Sequence, residues 1–316
     1  MMRTVLAIVA TALILAASAT TATAQDDELP VKYSALQALI HATTHPDTAP
    51  PGANDWSCES GDDANPVVLV HGTTANMTVN WDSLSPLLHN EGYCVFAFNY
   101  GQVDGLHVGL PGSSELTNGA GPIPESAGQL KEFVDTVLEA TGSDEVDIVG
   151  HSQGGMMPRW YLQFLDGAAK VDKLIALSPS NHGTTVDDLA QLPGVEALLS
   201  AGLGPAVRDQ VEGSDVLSRL NAGAETVDDV DYTVIQTKFD EIVTPYTSAF
   251  LESDAPNVDN ILVQDQCPSD VSEHLSIAFD PIALHDVVNA LDPENATEPD
   301  CSLVLPGEGA PWKRWM

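Results

Sequence analysis

The chain has 316 residues, of which 46 are acidic and 11 are basic, so its formal net charge at pH 7 is −35. A surface this negative repels phosphate groups. The charge therefore argues against nucleic acid as a partner and against electrostatic attraction to anionic membranes. The sequence has no repeat period and no low-complexity linker in its middle, which favours one domain.

The first 24 residues have the pattern of a secretory signal peptide. Arg3 gives a positively charged start, residues 5–17 are almost continuously apolar, and an Ala-Thr-Ala cleavage site ends at Ala24. The apolar stretch is shorter than the roughly 20 residues of a membrane-spanning helix. We therefore expect a secreted monomer without stable membrane insertion, in which residues 25–316 form a single domain.

The predicted elements alternate between short apolar runs and longer amphipathic stretches. Helical spacing is present in residues 126–140, in the stretch after Gly155 and in residues 281–291, whereas residues 101–124 and 181–230 are irregular. This alternation is typical of an α/β fold with a mostly parallel central sheet flanked by helices. The predicted strands are 67–70, 93–98, 146–149, 174–177, 232–235 and 261–263.

The segment Gly150-His151-Ser152-Gln153-Gly154 matches the pattern G-x-S-x-G. It directly follows one predicted strand and opens a helical stretch, which is the setting of a nucleophile elbow. Such a turn is so tight that small neighbours are needed, and it lifts the serine above the edge of the sheet. The pattern alone occurs often by chance, but this context makes Ser152 the candidate nucleophile.

A nucleophilic serine needs a base to accept its proton, and in this architecture the histidine follows the acid in the chain. Three histidines follow Ser152. His182 precedes any well-placed acid, and His285 lies inside the last predicted helix. His274 lies in a loop between the last strand and that helix, so we select it as the base.

Many carboxylates could orient the histidine, because the surface is rich in them. Asp240 is favoured because it ends the run YTVIQTKF and begins an abrupt loop. Its neighbour Glu241 and the later Asp265 are the alternatives. The sequence therefore predicts a triad of Ser152, Asp240 and His274.

Five segments together resemble secreted bacterial lipases of class 2, and more distantly Candida antarctica lipase B. The resemblance covers most of the chain, from about Asp55 to Cys301, and any one segment alone would not be specific. It implies the α/β-hydrolase fold with a partly helical, lid-like insertion at residues 181–230, and it implies no cofactor. The segments are VVLVHGTTANMTVNW, VGHSQGGMMPRW, KVDKLIALSPSNHGTT, DEIVTP and EHLSIAFDP.

The motif HGTT occurs twice, at residues 71–74 and 182–185, and only the first copy directly follows an early strand. An oxyanion needs preorganised N–H donors, one of which is the residue after the nucleophile, Gln153. The resemblance implies that Thr73 supplies the second donor through its backbone N–H, with its hydroxyl as a further candidate. We expect the second copy to begin the segment that roofs the site.

Four cysteines, at positions 58, 94, 267 and 301, predict two disulfides in an exported chain. Spacing alone allows three pairings. The family resemblance implies the pairs Cys58–Cys94 and Cys267–Cys301. No Cys-x-x-Cys or Cys/His cluster indicates a metal site, although carboxylates can hold calcium without a motif.

The insertion leaves two interpretations open. Residues 187–220 are rich in apolar side chains, interrupted by glycine and proline. The stripe could pack on the core like any amphipathic helix, or it could be a mobile roof over Ser152 that exposes its apolar face to lipid. Helical spacing is present at Leu192, Val195, Leu198 and Leu199.

The resemblance implies a secreted serine carboxylic-ester hydrolase, in the first place a triacylglycerol lipase. Its partner would be a lipid or ester substrate at an interface. The alternatives are a short-chain carboxylesterase, a polyester or cutin hydrolase, an acyltransferase, and a non-catalytic binding protein on the same fold. The last is the weakest, because the triad residues occur in the expected order.

Overall fold

The computed structural model describes residues 28–45, 47–59, 64–104, 106, 118–185, 202–251 and 256–313. A six-stranded sheet with the order β2-β1-β3-β4-β5-β6 lies at its centre, and every neighbouring pair is parallel. Each strand overlaps a predicted run, so the prediction of a mostly parallel sheet is confirmed. The strands are β1 Val67–Val70, β2 Val95–Ala97, β3 Val146–His151, β4 Val171–Leu177, β5 Asp231–Gln236 and β6 Val258–Leu262.

Helices cover both faces of the sheet. Alternate residues of β1 pack into two separate apolar clusters, because successive side chains of a strand point to opposite faces. One cluster contains α4 and α5, and the other contains α3 and α9. The α-helices of the described residues are α1 Ala35–Thr44, α2 Met77–Asn80, α3 Leu84–Asn90, α4 Ile123–Thr141, α5 Gln153–Phe164, α6 Pro205–Asp209, α7 Asp215–Leu220, α8 Val263–Gln266 and α9 Pro281–Leu291.

Two features of the helices differ from the sequence-based expectations. Helix α1 was not predicted, because its exposed face is itself apolar and the usual polar stripe is missing. Helix α4 begins three residues earlier than expected, inside the predicted loop. No local side chain caps it, and the N–H of Ile123 instead donates to Asp209 Oδ2, 3.0 Å away and 86 residues later in the chain.

The structure contains two disulfides, Cys58–Cys94 and Cys267–Cys301. The first joins the segment before β1 to the start of β2. The second joins the C-terminal segment to the chain just before His274. Both therefore fasten peripheral segments to the sheet or to the loops at its edge. A bridge of this kind typically contributes about 2–4 kcal/mol to folding stability.

The insertion is tied to α5 by a buried guanidinium group. Arg159 donates to the carbonyl oxygens of Asn181 and Glu225 at 3.3 and 3.2 Å, and to Asn221 Oδ1 at 2.7 Å. Apolar side chains from α6 and α7 also enter the main core cluster. The described part of the insertion, residues 181–185 and 202–230, is thus partly helical and packed against α5.

Several sequence predictions fall on residues outside the described ones. These are the signal peptide of residues 1–24 and the apolar stripe at Leu192, Val195, Leu198 and Leu199. Within the described residues, no helix is both long enough and apolar enough to cross a membrane.

Two helical glycines give a test of how tightly α5 packs on β1. A Cβ at Gly154 would lie 2.0 Å from Val70 O, whereas a Cβ at Gly128 in α4 would meet no atom within 4 Å. We expect Gly154→Ala to lower the free energy of unfolding by at least about 3 kcal/mol or to prevent folding. Gly128→Ala should raise it by about 0.5–1 kcal/mol. Equilibrium denaturation measures both, and wild-type stability in Gly154→Ala would disprove the close approach.

Candidate active site

Ser152 lies in the turn between β3 and α5 with φ 56° and ψ −124°, a backbone conformation that costs energy for any residue with a side chain. A Cβ at Gly150 would lie 1.9 Å from Gly154 O, so the turn leaves no space for a side chain at position 150. The N–H of Ser152 donates to Leu177 O at 2.8 Å and fixes the turn to β4. This is the strand-turn-helix geometry that the motif predicts.

The structure brings Ser152, His274 and Asp240 together at the carboxyl edge of the sheet. Ser152 Oγ lies 3.0 Å from His274 Nε2, and His274 Nδ1 lies 2.9 Å from Asp240 Oδ2. All three side chains are buried. Both distances are those of hydrogen bonds, so the hydroxyl, the imidazole and the carboxylate are linked in one continuous chain of hydrogen bonds. Asp240 Oδ1 also accepts from the N–H groups of Ile242 and Val243, at 2.9 and 2.7 Å.

The alternative bases and acids have other surroundings. His182 Nε2 lies 2.6 Å from Glu225 Oε1, and His285 Nε2 lies 3.0 Å from Thr297 O. Asp265 is exposed within α8. His182 and His285 thus bond to other groups and Asp265 faces solvent, so none of these three belongs to the hydrogen-bonded chain that contains Ser152.

The charge state of the pair His274 and Asp240 follows from burial and mutual attraction. Burial lowers the pKa of His274, but the Asp240 carboxylate attracts the imidazolium and bonds to it, and the net pKa lies above its usual value. Burial raises the pKa of Asp240, but the charge of His274 and the bonds from His274, Val243 and Ile242 stabilise the carboxylate. The net pKa of Asp240 lies below its usual value. Asp240 therefore stays ionised and favours proton uptake by His274.

Two further residues hold the His274 loop, and neither was singled out from the sequence. His151 Nε2 lies 2.8 Å from His274 O, and burial lowers the pKa of His151 to about 3, so its ring is neutral. The Glu273 carboxylate accepts from the N–H groups of Leu275, Ser276 and Gly307 at 2.8, 3.0 and 2.7 Å. The only sequence signal for a role in the site was that His151 directly precedes Ser152 and Glu273 directly precedes His274.

The first HGTT turn passes directly beside the serine. A Cβ at Gly72 would lie 3.2 Å from Ser152 Cβ. Gln153 is the first residue of α5, where backbone N–H groups have no partner within the helix. Thr73 Oγ1 donates to Gln153 Oε1 at 2.7 Å, so the single hydroxyl proton of Thr73 is used in this contact. Thr73 has two possible donors, its hydroxyl and its backbone N–H. Because the hydroxyl donates to Gln153, the backbone N–H is the donor that remains for a ligand.

A cavity of about 640 Å³ opens above Ser152 and His274. This volume lies within the usual range of small-molecule sites. Its walls are largely apolar side chains from α1, from the insertion and from the loops that follow Asp240 and His274. The cavity therefore offers an apolar space next to a polar hydrogen-bonded chain. Its apolar lining includes Leu36, Leu39, Ile242 and Leu275.

Residues 64–283 match the family described as class 2 lipase. The chain belongs to this family. It is 34% identical over 100 residues to triacylglycerol lipases of Pseudarthrobacter phenanthrenivorans and Burkholderia plantarii, covering 30% of this chain in both cases. These alignments span only 27% and 24% of the two relatives. The class 2 lipase resemblance seen in the sequence is thus confirmed.

Solved structures show the same fold. Aspergillus fumigatus lipase B superposes with a TM-score of 0.59 and 21% identity, covering 80% of this chain and 57% of that chain. The mature form of a Bacillus licheniformis lipase gives a TM-score of 0.54 and 15% identity, covering 74% of this chain and 94% of that chain. With the parallel six-stranded sheet, these likenesses show the α/β-hydrolase fold.

The pKa of His274 can be measured by NMR titration of its imidazole. We expect a pKa above the ordinary 6.5 in the wild-type protein and below 6.5 in Asp240→Asn. The shift of the His274 pKa reverses direction because the carboxylate that stabilises the imidazolium is lost. Burial, which favours the neutral ring, remains.

His151 serves as an internal control, because its pKa of about 3 keeps it neutral over roughly pH 5 to 9. An unchanged pKa of His274 in Asp240→Asn would show that Asp240 does not set the protonation of the ring.

Proposed function

We propose that this class 2 lipase is a serine carboxylic-ester hydrolase that acts on long-chain acylglycerols at a lipid surface. The observation that carries the proposal is the hydrogen-bonded chain from Asp240 through His274 to Ser152, which ends in an apolar cavity. The triacylglycerol lipase activity named for the two partial relatives supports the same substrate class.

In the proposed acylation step, Ser152 Oγ attacks the ester carbonyl while His274 Nε2 accepts its proton. The Asp240 carboxylate keeps the Nδ1 proton of His274 in place and stabilises the imidazolium. The carbonyl oxygen becomes an oxyanion, for which we assign the backbone N–H groups of Thr73 and Gln153. His274 then protonates the leaving alcohol oxygen as the C–O bond breaks. An acyl-enzyme on Ser152 remains.

In the proposed deacylation step, His274 removes a proton from water, and the resulting hydroxide attacks the acyl carbonyl. The tetrahedral intermediate collapses, and His274 returns the proton to Ser152 Oγ. The fatty acid leaves and the resting enzyme is restored.

Exposed apolar side chains around the cavity mouth support action at a lipid surface. Leu36, Leu39 and Ile40 on α1 have exposed fractions of 55%, 44% and 55%, and Leu275 and Ile242 have 58% and 44%. All except Ile40 also line the cavity. A contiguous apolar surface that continues into the site is typical of lipid contact. Because the chain is strongly acidic, the attraction to lipid must be hydrophobic.

We also propose that the chain is exported and cleaved near Ala24. Two disulfides support an oxidising compartment, where such bridges form and persist. The apolar core and cleavage pattern of the first residues support the same route.

Covalent labelling tests the proposed nucleophile. A fluorophosphonate probe should label the mature protein once, at Ser152, and Ser152→Ala should lose both labelling and ester hydrolysis. Asp240→Asn should lower turnover by about 10⁴, as expected when the orienting carboxylate is removed. His285→Ala, outside the triad, should keep wild-type labelling. An unlabelled wild-type protein would favour a non-catalytic binding protein, and full activity in His274→Ala would refute the assigned base.

The apolar rim can be tested by comparing two substrates. We expect the double substitution of Leu36→Ser and Leu39→Ser to reduce hydrolysis of emulsified long-chain triacylglycerol by at least about tenfold, because hydrophobic contact with the lipid is lost. Hydrolysis of a soluble short-chain ester should fall by less than about twofold on the same reasoning. Leu303→Ser is the matched control, because Leu303 is 48% exposed but does not line the cavity. Equal losses on both substrates would remove the lipid-surface claim and leave an esterase.

A further inference from the structure

One side chain of the insertion reaches the two residues assigned to the oxyanion. Gln210 directly follows α6 and is buried. Its Nε2 donates to Thr73 Oγ1 at 2.8 Å and lies 3.0 Å from Gln153 Oε1. Thr73 Oγ1 in turn donates to Gln153 Oε1 at 2.7 Å. The three side chains form a closed triangle of hydrogen bonds beside Ser152.

Gln210 is itself held from the opposite side. Its Oε1 accepts from Ser180 Oγ at 2.9 Å, which sets the orientation of the amide and points Nε2 toward Thr73. Its backbone carbonyl accepts from the N–H of Thr184 at 3.0 Å. Thr184 belongs to the second HGTT turn and Thr73 to the first. The two copies of the motif are thus connected through Gln210.

The triangle joins two separate parts of the fold. Thr73 follows β1, whereas Gln153 begins α5, and their backbone N–H groups must be about 3 Å from one developing oxyanion. Preorganised donors stabilise a transition state because they do not have to reorient as charge develops. A link between the two side chains restricts the relative motion of the two backbone segments.

We propose that Gln210 is a positioning residue that fixes Thr73 and Gln153 relative to each other for oxyanion binding. The inference rests on the proposed ester hydrolysis, and it assigns to the insertion a role in turnover. An oxyanion exists only in the transition state and the tetrahedral intermediates. Loss of Gln210 should therefore lower kcat and leave KM nearly unchanged.

The first test compares Gln210→Met with Gln163→Met on a soluble short-chain ester. Gln163 Nε2 donates to the carbonyls of Ala224 and Glu225, so it also links α5 to the insertion, but on the side away from Thr73. We expect Gln210→Met to lower kcat by about tenfold, less than the loss of a direct oxyanion donor, with KM within about twofold. Gln163→Met should keep both constants.

The second test is a double-mutant cycle with Thr73→Val. If Gln210 acts through the Thr73 hydroxyl, the combined variant should lose no more in kcat than the worse single variant. Losses that multiply, a loss confined to KM, or an equal loss in Gln163→Met would overturn the proposal. Thermal unfolding of each variant checks folding, and Gln210→Asn, whose amide is one methylene too short to reach Thr73, replaces a variant that does not fold.

Two different results distinguish a failure of the proposed role of Gln210 from a failure of the proposed function. A wild-type protein that neither hydrolyses esters nor reacts with a fluorophosphonate contradicts the proposed function. A wild-type protein that does both, together with wild-type kcat in Gln210→Met, contradicts only the role of Gln210.

Discussion

The close approach of α5 to β1 is the constraint on which the site depends. With glycine at position 154, the helix backbone can lie against Val70 O, where a Cβ would be only 2.0 Å away. That approach forces the tight turn at Ser152, and the packing around it holds a backbone conformation that would otherwise be unfavourable. It also places the start of α5, with Gln153, beside the turn that follows β1. The proposed nucleophile and both residues assigned as oxyanion donors therefore depend on one packing contact.

Much of the fold was predictable from the sequence because its signals are local. A buried parallel strand appears as a short apolar run, and the elbow needs glycines at fixed distances from Ser152. The contacts that support the site were not predictable, because their partners are far apart in the chain. Arg159 and Asn221 are separated by 62 residues, and Thr73 and Gln210 by 137. Helix α1 was missed because its apolar face is turned to solvent, opposite to the usual pattern.

The strong acidity of the chain has a local counterpart around His274. Glu241 and Glu273 lie next to Asp240 and His274 in sequence, and their negative charges add to that of Asp240 in raising the pKa of His274. Carboxylates that bond to backbone N–H groups, as Glu273 does, also order the loop that carries the histidine. Acidic residues therefore give the protein its solvated surface and also support the position and the raised pKa of His274.

The second HGTT turn is structurally distinct from the first, although the letters are the same. The first borders Ser152, and the second supports the insertion by holding Gln210 through Thr184. Any outward movement of α6 would have to break the bonds from Gln210 to Thr73 and Gln153. Such a movement would loosen the turn to which oxyanion binding is assigned at the moment when the cavity widened. The proposed role of Gln210 therefore couples access to the cavity with stabilisation of the oxyanion through one amide, and it makes the segment around α6 a wall of the proposed active site.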